Sequence, residues 1–237
     1  MKQSIRRCHK EQELKSRIEQ AMGVSLGGVQ CHIVDQPGMT KVMGRSGWSR
    51  NQTFGVVGFQ VDSNVYVLDS APWTVLHELI HKSGVNADRL SRYVAEGLTE
   101  AMAIELRRSP DEHRPTYPEE TQWVQQKLLP RLGLTAVQLG TILAKADNAP
   151  KTLASLMKRV RPELDERELV RELQPQKSGV PSFNRVGRGH VTMGAYEGAI
   201  LSLESRAAQI GAVLLVSGAA LSLPLVFGRR KHSSHGI

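Results

Sequence analysis

Cysteine and aromatic residues are both scarce in this chain. Its 237 residues hold two cysteines, Cys8 and Cys31, with three Trp, four Tyr and four Phe. Two cysteines make no disulfide framework, so the expectation is a core that stands without staples, with either redox compartment open to it. So few aromatics argue against a base-stacking surface. No nucleic-acid motif accompanies the formal net charge of +8, and no specific nucleic-acid partner is expected. The positive excess is spread over short clusters: Arg6-Arg7, Arg107-Arg108, Lys158-Arg159-Val160-Arg161 and Arg229-Arg230-Lys231. Such a balance suits anionic surfaces, lipid headgroups included. No secretory leader is expected either, because Glu11, Glu13 and Glu19 interrupt the N-terminal stretch where a signal peptide would carry its hydrophobic run.

One long uncharged stretch does exist, from Ala207 to Gly228, with an apolar core of 18 residues between Ile210 and Phe227. That length is at the short end of what spans a bilayer, and Arg229-Arg230-Lys231 follows at once. The expectation is a membrane-associated protein with a single C-terminal transmembrane helix over 207–227 and a basic tail over 228–237.

The stretch that carries chemistry is His77-Glu78-Leu79-Ile80-His81. On a helix, residues four apart share a face. His77 and His81 can therefore offer two imidazole nitrogens to one metal ion, with Glu78 beside them as general base for a metal-bound water. A catalytic zinc needs a third protein ligand. Glu96 and Glu100 stand one turn apart in Val94-Ala95-Glu96-Gly97-Leu98-Thr99-Glu100. Gly97 supports a close approach of this helix to the one that bears His77 and His81, since a glycine costs a helix about 1 kcal/mol relative to alanine and needs a reason. The reading takes Glu96 as third ligand, with Glu100 as a second carboxylate or alternative ligand. Asp88 stays open as a further alternative.

Apolar periodicity and turn residues outline the rest. Residues 4–22 read as a helix in an N-terminal segment 1–22, and Val29 to Ile33 as a strand. Residues 36–53 read as loop with at most one helical turn. Residues 53–61 and 64–69 form a hairpin around Asp62-Ser63-Asn64, with the strand Val65–Asp69 as its open edge. Ser70 and Pro72 introduce the His77 helix. Asn86 caps a helix over 87–107. Short helices follow at about 118–131, 135–146, 150–160 and 163–173, then an extended linker over 174–206. The metal-bearing core is bounded at 23–108 and a helical region at 109–173.

The His77–His81 motif with Ala95-Glu96-Gly97 resembles the gluzincins, the thermolysin-like and aminopeptidase-like zinc peptidases, in which a Glu on a later helix completes the site. The spacing departs from theirs: Glu96 follows His81 by 15 residues and Glu100 by 19, and the latter matches the family gap better. The resemblance implies that an acidic residue one turn after the ligand orients a zinc histidine, a role that Glu100 suits. Residues 17–85, with their order of helix, Gly-Val-Ser-Leu-Gly-Gly-Val-Gln-Cys-His stretch, Gly-rich loop and strand, also resemble the metallopeptidase domain found with bacterial extracellular contractile injection systems. A metzincin pattern is not met, because Ala87 stands where its third histidine would be and Met193 reads as a loop methionine.

The combined expectation is a zincin-like α+β fold. It has a small N-terminal hairpin or sheet, an active-site helix, a helical C-terminal half and a membrane helix. The function is a zinc-dependent metallopeptidase acting on a peptide or protein substrate. Tyr93, His113 and Tyr117 are candidates for the hydroxyl or imidazole that steadies the transition state. The alternatives are a non-catalytic zincin-fold assembly module of a membrane or secretion-linked system, and a membrane-inserting effector.

Overall fold

Hydrophobic alternation and turn chemistry build a small sheet at the N-terminal end of the chain, and helices cover it. The structure is a computed structural model that describes residues 5–48, 56–86 and 88–175. Strand β1 is Arg6–Arg7, helix α1 Glu11–Met22, β2 Gln30–Val34, α2 Gln36–Arg45, β3 Gly58–Val61 and β4 Asn64–Leu68. A 3-10 turn, Pro72–Thr74, leads into α3, Val75–Lys82. Helix α4 is Arg92–Leu106 and α5 Pro118–Trp123, which runs through a π turn into α6, Leu129–Leu132. Helices α7 (Ala136–Lys145), α8 (Ala149–Val160) and α9 (Glu166–Leu173) complete the described residues. This is an α+β arrangement: one four-stranded sheet, and otherwise mostly helix.

The sheet order is β1-β2-β4-β3, with β2 and β4 parallel and the outer pairs antiparallel. Residues directly opposite one another share a face. Gly58 opposes Val67 and Gln60 opposes Val65, while Cys31 opposes Val65 on the other side. Val65, Val67 and Cys31 are fully buried. On the opposite face Val34, Phe59 and Leu68 pack with Met39 and Met43 of α2. Helix α3 lies against β3 and β4.

Several expectations are corrected here. Residues 36–45 are not loop but a ten-residue helix, α2, because the Asp35 carboxylate accepts from Gly38 N at 2.8 Å and Pro37 starts the first turn. The N-terminal helix begins at Glu11 rather than at 4, and Arg6–Arg7 pair with Ile33 and His32 instead. That register sets Cys8 opposite Cys31. The two are joined as a disulfide, with Cα atoms 5.4 Å apart, so the core does have a staple. Strand β4 has partners on both sides, so among the described residues the edge strands are β1 and β3.

Helix α4 starts at Arg92, five residues after the expected start. The backbone first turns at Asn86, whose side chain accepts from Asp88 N at 3.2 Å. Ser70 caps nothing at α3, whose N-cap is Thr74. The linker from 176 onward, the membrane helix at 207–227 and the basic tail lie outside the described residues. Among the described residues no helix is long and apolar enough to cross a membrane.

Candidate metal centre

Helix α3 is only eight residues long, too short to persist alone in water. Packing holds it, with Leu76, Leu79 and Ile80 fully buried. The same burial takes His77, Glu78 and His81 out of solvent, where each polar group needs a partner. Helix α4 packs against α3 and supplies Glu96 and Glu100 as partners for the two histidines.

Three atoms converge. His77 Nε2 and His81 Nε2 are 2.9 Å apart, and Glu96 Oε2 is 3.2 Å from the first and 3.1 Å from the second. Among the described residues this is the one group of three or more His, Cys, Asp or Glu side chains arranged to hold a metal ion. Each atom lies roughly 1.8 Å from the centre of the triangle, just inside the 2.0–2.2 Å at which zinc holds nitrogen and carboxylate oxygen. The donor set therefore fits such an ion.

Contacts behind the triangle, one a hydrogen bond and one an ion pair, set the tautomers. His81 Nδ1 is 2.6 Å from Val85 O, and a carbonyl can only accept, so Nδ1 carries the proton and the Nε2 lone pair faces the triangle. His77 Nδ1 lies 3.3 Å from Glu100 Oε1, an ion-pair contact too poorly aligned for a straight hydrogen bond. That contact gives His77 the same orientation. Two lone pairs and a carboxylate oxygen thus meet at one point. Such a meeting needs a cation, either a metal or a proton.

The electrostatics without a metal show the proton solution. Burial pushes His77 down, but its contacts with Glu100 and Glu96 outweigh that and hold it up at about 10. Burial pushes Glu96 up, and His81 and His77 pull it well below the usual carboxylate range. Burial likewise opposes the shift of Glu100, which His113 and His77 bring down to about 2.

Of the sequence-predicted residues, His77, His81 and Glu96 form the triangle, and Glu100 sits behind His77, fully buried. Glu78 is outside the triangle. Its Oε2 accepts from Gln60 Nε2 at 2.8 Å, and its side chain lies against the bare backbone of Gly58. Asp88 is exposed in the turn between α3 and α4 and takes no part in the cluster. Gly97 does mark a close approach, but not to α3. A Cβ there would stand 2.5 Å from the carbonyl oxygen of Glu120, in α5. That contact seats α5 and, just before it, Tyr117, whose ring stacks on His77 with centroids 5.7 Å apart.

Of the other two candidates for a transition-state donor, His113 bonds to Glu100 and Tyr93 packs edge-on against Trp123. Burial and the Glu96 carboxylate push the Tyr117 hydroxyl up, so it keeps its proton. Sequence reasoning missed Gln60, Val85 and Thr99, which is fully buried with Oγ1 3.3 Å from both His81 Nδ1 and Val85 O. Thr99 stands one turn after Glu96 on the ligand face of α4, which is the one signal that could have found it. The chain was compared with family models, with curated proteins and with solved structures, and none of them matches it.

Proposed function

We propose that the chain is a zinc-dependent peptidase of zincin type, with a gluzincin-like donor set of His77, His81 and Glu96. The observation that carries the reading is the triangle of lone-pair donors with a carboxylate outside it, Glu78, on the same helix as the two histidines. A site that only clamped helices together would have no use for that carboxylate. Bound at the triangle, zinc supplies an acidified water and a Lewis acid for the scissile carbonyl.

The remaining work belongs to the chain. Glu78 takes the proton of the attacking water and returns it to the leaving amine. Gln60 fixes the carboxylate through Oε2. Tyr117, kept protonated over His77, donates towards the developing oxyanion. The exposed side of β3 pairs with an extended peptide, because β3 is an edge strand of the sheet and is the edge that carries Gly58 and Gln60 beside the base.

The test is metal analysis paired with hydrolysis of a casein or peptide-library substrate. Wild type holds one zinc and cleaves, while Glu78→Gln holds zinc and does not cleave. A fully active Glu78→Gln variant refutes the mechanism, and a wild type without stoichiometric metal refutes the site.

A further inference from the structure

We infer that His113 is a positioning residue for the metal, acting on His77 through Glu100. The inference rests on the metal site proposed above and adds a third tier to it.

His113 lies in the connection between α4 and α5. Its neighbours Asp111, Arg114, Pro115 and Thr116 are exposed and Glu112 is half-buried, whereas His113 is completely buried. A single polar side chain drawn from an exposed loop into the core is held by specific partners, since burying a polar group without them is costly. Here both ring nitrogens are engaged. Nε2 meets Glu100 Oε2, and Nδ1 lies 3.3 Å from Trp73 O, in the turn that leads into α3. Arg107 Nη1 donates to His113 O at 3.1 Å and holds the loop in place. Glu100 is in turn held from three sides, by His113 Nε2, by Thr116 N at 3.0 Å and by His77 Nδ1 at 3.3 Å.

The result is a strut. The imidazole of His113 ties the start of the metal-bearing helix to the carboxylate that aims the first metal ligand. Its ring lies nearly parallel to that of His77, with an interplanar angle of 13° and centroids 6.1 Å apart. Without His113, Glu100 keeps its backbone donor but loses the partner that fixes its second oxygen. His77 then loses a fixed orientation. Losing an outer partner of a metal-ligating histidine typically costs about 10–100-fold in metal affinity.

Two substitutions separate the ends of the strut. His113→Asn keeps an amide nitrogen near the Nδ1 position, towards Trp73 O, and has nothing to offer Glu100. His113→Gln keeps a nitrogen near the Nε2 position, towards Glu100. Zinc affinity is measured by competition with a chromophoric chelator. The visible spectrum of the cobalt-substituted protein reports ligand geometry, and apo-protein melting reports folding.

The expected result is zinc binding weakened about 10–100-fold in His113→Asn, with a changed cobalt spectrum, and affinity within a few-fold of wild type in His113→Gln. Equal, wild-type-like affinity in both variants overturns the strut and leaves the metal site standing. A wild type that binds no zinc overturns both. Should His113→Asn fail to fold, His113→Gln decides alone: near-native affinity supports the strut, and a tenfold loss refutes it.

Discussion

Gly97→Ala tests the packing that assembles the candidate metal centre, because two effects of opposite sign compete there. In an unobstructed helix interior the change is stabilising by about 1 kcal/mol, from reduced backbone entropy in the unfolded chain and better helix propensity. At this position the new Cβ would stand 2.5 Å from Glu120 O and 2.7 Å from its carbonyl carbon. Both are backbone atoms, so α5 itself must shift. Overpacking of this kind costs about 1–3 kcal/mol. The steric cost exceeds the propensity gain, and the net expectation is a loss of about 1 kcal/mol. For a domain of this size that lowers the melting temperature by roughly 2–4 °C.

Gly44→Ala in α2 is the matched control. Nothing stands within 4 Å of its Cβ position, so only the propensity gain remains and the variant melts higher. Because Tyr117 directly precedes α5, the Gly97 variant also loses kcat/KM at temperatures well below its melting point. A Gly97→Ala protein that melts higher than wild type, as its control does, would refute the argument that α5 is seated on this glycine.

Gly58→Ala pushes on the proposed base, Glu78, and not on the proposed ligands. Its Cβ would run into the Glu78 carboxylate and stand 2.7 Å from its Cγ, so the whole Glu78 side chain must turn away from its place beside Gln60. Zinc content stays at wild type while hydrolysis falls at least tenfold, and a parallel loss of metal would show that Glu78 supports the site instead. The pH dependence follows from His77. Its folded-state value is raised from 6.5 to about 10, so its contribution to the metal-free protein is fully present below 6.5 and is lost as pH rises through about 10. Metal must displace that proton, so zinc affinity rises about tenfold per pH unit across the same window, with one proton released on binding. Calorimetry in buffers of different ionisation enthalpy counts the proton, and a pH-independent affinity contradicts the assignment.

The parts of the site legible in the sequence were those set by local period. The spacing of His77 and His81 fixes a shared helical face, and the one-turn spacing of Glu96 and Glu100 fixes another; the structure brings the first three together and puts the fourth behind them. The partners from elsewhere were not legible. Gln60 reaches Glu78 only because β3 lies at the sheet edge, and β4 was expected in that place. Strand order depends on a parallel crossover from β2 to β4, which no local pattern announces.

Helix α2 was missed for a different reason. Its glycines and polar residues score as loop, while the cap at Asp35 and the packing of Met39 and Met43 decide the matter. Gly97 was correctly read as a close approach but assigned to the wrong neighbour, since a missing side chain says that something is near without saying what.

The bond between Cys8 and Cys31 encloses all of α1 in a covalent loop, with a sequence separation of 23. A loop of that size removes unfolded-chain entropy equivalent to about 3 kcal/mol, set against a whole-domain stability of order 5–15 kcal/mol. A sizeable share of the folding free energy is therefore conditional on the thiol–disulfide poise of the surroundings. Two samples of the same sequence, one matured among oxidants and one among reducing thiols, would be different materials to a protease or a thermal ramp. Heterologous expression in a reducing compartment would examine the weaker of the two.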